Sequence, residues 1–387
     1  MKMTFKKLIP IISITTLATL LCACSGFFDK DNTPTPTPLT SFTPETNAQL
    51  LWYTTANAGL GSDYLKLVPA LTDRSIISVS ENGVVTATDK LNGRNLWRSY
   101  TNSSITAGPA SNDGIVIVGG RNGLVFALDQ NTGATRWKTS VFSEILAPPA
   151  IANGIIVIKS IDGQLTALSE IDGHKLWNYQ QTEPVLILRG GSAPQIQTHS
   201  VIVGFANGNL AKLSLQKGSL LWQQIIATPE GGFAIERMVD IDADPLINND
   251  EVFAATYQGK IAALELESGK ILWSQDISSF TGMTADSSKV YISDASSHLW
   301  AFERNTGTVD WKQSQLVARN ITAPATMGHY IVVGDSEGYL HWLNKEDGHL
   351  VARARVNRSG ILATPVVENN IVYILTKDGH LAAYKLA

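Results

Sequence analysis

The chain has 387 residues, 44% of them hydrophobic, with 30 basic against 34 acidic side chains and a net charge of −4. That balance argues against nucleic-acid binding, which calls for a basic face. Two cysteines are too few for a disulfide-stapled scaffold, and the length exceeds that of a typical single domain, which directs attention to internal repeats.

At the N-terminus, Lys2, Lys6 and Lys7 precede a mostly apolar run from Leu8 to Leu21 that ends in "LCAC". The run is shorter than the roughly 20 residues a spanning helix needs, contains Pro10 and leads into polar sequence, so residues 1–23 are expected to be a secretory signal. Leu21-Cys22-Ala23-Cys24 resembles a bacterial lipobox. The resemblance implies cleavage before Cys24 and lipidation of that cysteine, with more than one acyl chain giving a stable anchor. Ser25, where aspartate would mark retention in the inner membrane, implies the periplasmic face of the outer membrane. Loss of residues 1–23 removes three lysines and no acids, leaving 27 basic against 34 acidic groups, a charge of −7. Residues 24–47, with "TPTPTP" at 33–38, read as the lipidated cysteine and a disordered Thr/Pro-rich tether. Roughly 23 extended residues at about 3.1 Å each would span on the order of 70 Å.

From residue 48 onward the chain repeats itself: "NGVVTATDKLNGRNLW" (82–97), "NGLVFALDQNTGATRW" (122–137) and "DGQLTALSEIDGHKLW" (162–177) begin the series. Gly83, Gly123, Gly163, Gly208, Gly259, Gly338 and Gly379 lead the copies, with Ser297 standing in once, which makes eight. Asn-Gly or Asp-Gly marks a tight turn, and a second pair of strands sits upstream of each copy. Four short strands in about 40 residues, with no helical period, predict a β-propeller blade. Residues 48–387 are therefore expected to form an all-β, eight-bladed propeller of four-stranded antiparallel blades. The last copy lacks a fourth strand, and "QLLWYTTA" (49–56) is expected to supply it and close the ring. Trp52, Trp97, Trp137, Trp177, Trp222, Trp273 and Trp311 fall in register, which points to packing between blades ahead of carbohydrate stacking.

These repeats resemble those of the pyrroloquinoline-quinone dehydrogenases, which are eight-bladed propellers. The resemblance implies the fold and not the activity. No cysteine pair remains to flank a quinone, the seven histidines are scattered, and neither GxSxG nor a phosphate loop occurs. No catalytic residue, cofactor or metal is therefore expected. In "DIDADPLINNDE" (240–251), Asp240, Asp242, Asp244, Asn248 and Glu251 have calcium-loop spacing, but Pro245 occupies the position that needs glycine.

The connections between blades differ in length. Trp97 to Pro109 and Trp137 to Pro149 are each 12 residues, whereas Trp177 to Pro194 is 17 and Trp222 to Pro245 is 23. The enlarged connections, 178–193 and 223–244, are expected on one face of the ring. They carry Leu186, Leu188 and Arg189 in the first and Asp240 and Asp242 in the second, the composition of an interface hot spot. The plainer reading has the leucines tucked under the loop and Arg189 bridged to an aspartate.

The lipobox, tether and propeller, together with "LRGGSAP" (188–194), "VDIDADP" (239–245) and "GDSEGYLHW" (334–342), resemble the BamB family, the propeller lipoproteins of the outer-membrane β-barrel assembly machine. The resemblance implies a non-enzymatic scaffold, monomeric within a hetero-complex. It implies that Leu186, Leu188, Arg189, Asp240 and Asp242 dock the POTRA domains of the central barrel subunit, BamA. A second role it suggests is pairing of outer strand edges with nascent outer-membrane β-barrel strands. The alternative is a quinone-dependent dehydrogenase or a ligand-sensing propeller that uses its axial pocket.

Overall fold

The computed structural model describes residues 34–61 and 65–387, so the expected signal peptide and Cys24 lie outside the described residues. Residues 36–387 form one compact unit. It is an eight-bladed β-propeller: eight four-stranded antiparallel sheets, with no helix among the described residues and the innermost strands side by side around the axis. Each repeat builds one blade, except that the eighth takes Ala48–Thr55 as its outer strand against His380–Leu386, with Trp52 opposite Ala383. The ring closes as the missing fourth strand requires.

Burial grades outward within a blade. The second strand of blade 3, Ile155–Lys159, is buried throughout, whereas the outer strand of blade 2, Thr135–Ser140, alternates exposed and half-buried. Inner strands have a neighbouring blade on both faces, which is why they read as continuous apolar runs such as "IIVI".

The in-register tryptophans lock one blade to the next. Trp97 Nε1 donates to the carbonyl of Gln130 at 2.9 Å, Trp177 Nε1 to that of Leu215 at 2.7 Å, and Trp52 Nε1 to that of Lys90 at 2.9 Å. Within its own sheet the ring faces a small residue, with Ala87 opposite Trp97 and Ala167 opposite Trp177, and a register shift follows at once. This explains the alanine of these repeats; blade 4 departs from the pattern, with Lys212 opposite Trp222. The ring also lies on the turn glycine of the following blade: a Cβ on Gly133, whose φ is +72°, would come within 2.4 Å of Trp97. The tryptophans thus serve packing. In blade 7 the pair is inverted, with buried Trp342 opposite Ala352.

The stretch expected as a disordered tether is structured in its second half. Thr37 N–H and Oγ1 both donate to the carbonyl of Val317, at 3.1 and 2.7 Å, and Glu45 N–H donates to Val351 at 3.0 Å. Leu39 and Phe42 pack on the cluster of Trp311, Leu316 and Ile321. Composition misleads here because the partners are contributed from the far end of the chain.

Gly133→Ala should lower stability by about 2–4 kcal/mol, from a left-handed conformation and a clash with an indole that cannot retreat. Thermal unfolding followed by tryptophan fluorescence would measure it.

Candidate docking site

Antiparallel order places every outer-to-inner connection on the same face of the ring as the turn between the second and third strands. Connections 181–194 (blade 3 to 4) and 226–245 (blade 4 to 5) are therefore neighbours there, as the loop lengths suggested.

The second connection builds the first. Alternate residues of an extended segment point the same way, and in "VDIDADP" the three aspartates point at the backbone of 188–193. Asp240 Oδ1 accepts from Leu188 N–H at 2.8 Å and Asp244 Oδ1 from Ala193 N–H at 2.7 Å. Asp242, between them, accepts from Gly191. The approach is so close that a Cβ on Gly190 would lie 2.1 Å from Asp242 Oδ2, which accounts for the paired glycines. Lys66, from the far side of the ring, donates to the carbonyls of Gly191 (3.1 Å) and Asp242 and to Asp244 Oδ1 (3.3 Å). It also borders the axial cavity, about 530 Å³, with Pro69, Pro109, Pro149 and Pro194.

Two expectations are corrected. Asp240 and Asp242 are 2% and 7% exposed, so they do not offer carboxylates to solvent but hold the loop from beneath. Arg189 bridges to Glu144 Oε1 at 2.7 Å, not to an aspartate, and its side chain stays 48% exposed. Leu186 is 45% exposed and Leu188 half-buried, so the pair splits between an outward contact and an anchor under the loop. The aspartates of the calcium-like spacing are engaged with backbone amides, and Glu251 pairs with Arg304 Nε at 2.6 Å.

Sequence reasoning missed Phe142, Val185, Phe233 and Ile235, which are large, exposed apolar side chains on three successive connections of this face. Apolar residues inside polar connections were the available signal. Lys66 gave none, since its partners are far away in the chain.

The floor of the site is buried and rich in ionisable groups. Burial pushes the Asp240 carboxyl up to about 7, opposed by the Leu188 amide and reinforced by Asp242 and Glu183. Burial also raises Asp242, with Lys66 and Lys159 opposing, and lowers buried Lys159, whose Nζ donates to the carbonyl of Gly204 at 2.6 Å. Asp240 Oδ2 and Ser160 Oγ, buried without a hydrogen-bond partner among the described residues, border a cavity of about 20 Å³, room for one water.

A carboxyl whose folded pKa lies above its unfolded value contributes stability that is complete below the unfolded value, about 3.9, and is lost as pH rises through the folded one. Asp240→Asn keeps the acceptor for Leu188 and removes this term. The variant should therefore gain on wild type between pH 5 and pH 8, by on the order of 2–3 kcal/mol, measured by denaturant unfolding at both values.

Comparison with known proteins agrees with this architecture. The family model described as "Outer membrane protein assembly factor BamB" matches residues 39–313 and 316–387. A protein of that name from Alkalilimnicola ehrlichii is 48% identical over 367 residues, covering 95% of this chain and 94% of its own. The crystal structure of BamB from Moraxella catarrhalis superposes with a TM-score of 0.80 at 26% identity, over 87% of this chain and 99% of that one. A quinohemoprotein alcohol dehydrogenase from Comamonas testosteroni, with a TM-score of 0.69 at 13% identity over 87% of this chain and 76% of its own, shares the fold alone. With a family model matching residues 39–313 and 316–387 and a relative 48% identical over 95% of its length, the chain belongs to the BamB family.

Proposed function

We propose that this protein is a non-enzymatic scaffold in outer-membrane protein assembly, held by a lipid on Cys24 at the periplasmic face of the outer membrane. Its partner is the central barrel subunit, BamA, engaged through POTRA domains. The carrying observation is the way Asp240, Asp242 and Asp244 bind the backbone of 188–193, which leaves Leu186 and Arg189 at the surface. A loop ordered before the partner arrives spares the entropy of ordering it on binding. Leu186 then acts as the apolar anchor, Arg189 exchanges or shares its exposed bridge to Glu144, and Leu188, Asp240 and Asp242 act by holding the shape. Relatives named as assembly factors support this reading over the quinone alternative.

A second reading concerns the outer strands. Those of blades 1 to 6 present alternating exposed residues along an open edge, as in Asn95–Tyr100 and Leu220–Ile225, the geometry that β-augmentation by a nascent barrel strand requires.

Co-purification from detergent-solubilised outer membranes tests docking. Leu186→Asp and Arg189→Glu, both at exposed positions, should retain the wild-type melting temperature and reduce recovery of the barrel subunit at least about tenfold, the effect of losing a hot-spot contact. Equal recovery with folded variants would move the contact elsewhere. Failure of wild type to recover it would return attention to the quinone reading.

A further inference from the structure

The structured part of the N-terminal segment raises a separate question, because it meets a buried charged cluster that the docking site does not use. Arg319, 1% exposed, lies in the connection between blades 6 and 7. Its Nε donates to Asp335 Oδ2 at 2.8 Å, its Nη2 to Glu337, and its Nη1 to the carbonyl of Thr37 at 2.8 Å. Arg353, on the outer strand of blade 7, donates from Nη1 to the carbonyl of Thr40 at 3.0 Å, and its guanidinium lies 5.0 Å from the ring centre of Phe42. Buried His341 joins the two arginines: its ring nitrogens face Asp335 Oδ2 (2.9 Å) and Arg353 Nε (3.3 Å). Three of these residues, Asp335, Glu337 and His341, come from "GDSEGYLHW".

The chemistry selects extended chain. A proline-rich segment has no internal hydrogen bonds, so its carbonyls are free acceptors and little conformational freedom is lost on docking. The two guanidinium groups take two of those carbonyls, Thr37 and Glu45 give amides to Val317 and Val351, and Leu39 and Phe42 fill the apolar gap. The segment crosses the whole height of blade 7. Thr37 lies beside the 314–324 connection on the docking face, while Glu45 reaches His349, at the opposite face, with 2.6 Å between Oε1 and Nε2.

We propose that the edge of blade 7 is a receptor for extended, proline-rich chain, filled by the protein's own residues 37–45, and that it fixes the membrane arm to the docking face. Resting on the reading of Cys24 as the lipid site, 13 residues, 24–36, then separate the lipid from the strap, which caps the reach at about 40 Å instead of about 70 Å at 3.1 Å per residue. The docking loops are held near the membrane, and the outer edge of blade 7 is closed to incoming strands.

Hydrogen exchange read by mass spectrometry on the full-length, detergent-solubilised protein tests this. The amides of Thr37 and Glu45 should exchange at least about 100-fold more slowly than in an unstructured peptide. Phe42→Ser, which alters the strap and leaves the blades intact, should abolish that protection without changing exchange in the strands of blades 1 to 5. Arg353→Ala should do the same from the receptor side. Rapid exchange at both amides in the wild type would overturn the proposal, as would protection that survives Phe42→Ser. The mass of the peptide bearing Cys24 reports the lipid separately: protection without lipid would keep the receptor and remove the arm.

Discussion

Each blade is fastened to the next by an indole that lies on a turn glycine and donates its N–H to a carbonyl across the gap, as Trp97 does with Gly133 and Gln130. The contact joins a large apolar area to a directional bond, so it fixes both the distance and the tilt between neighbours. A ring built this way has little freedom left in it. That rigidity lets two loops on one face act as a preformed surface, and it lets Lys66 span the ring to reach them.

The face that carries the enlarged connections is polar underneath and apolar above, the reverse of an ordinary surface loop. Its carboxylates are spent on backbone amides, and its exposed tips are Phe142, Val185, Leu186, Phe233 and Ile235. Buried, imperfectly compensated charge destabilises a fold, and burial pushes the Asp240 carboxyl up to about 7. The corresponding gain is shape: a backbone held by three side chains does not collapse onto its own leucines. Stability is thus exchanged for a surface that is ordered before it is used.

The fold was legible in the sequence because its signals are local and repeated: turn glycines, a tryptophan in register in seven of the repeats' outer strands, and a spare strand at the start for a blade short of one at the end. The two enlarged connections were legible from length alone. The orientation of Asp240 and Asp242 was not, because alternation puts them on one side without saying which side is inward. The Arg189 bridge to Glu144 spans 45 residues and the Thr37 contact to Val317 spans 280, and neither leaves a trace in local composition. The strap was misread for the same reason: threonine and proline describe a chain with no structure of its own, and its order comes from arginines at the other end of the sequence.

The central claim is that the tip of connection 181–194 is the surface that meets a partner. A photo-crosslinking residue placed at 186 in intact cells, with another at 131 on the opposite face as reference, tests it most directly. The account predicts an adduct from 186 whose partner peptides map to a periplasmic POTRA domain, and none from 131. Equal capture of that domain from both positions, or capture from 131 alone, would contradict it.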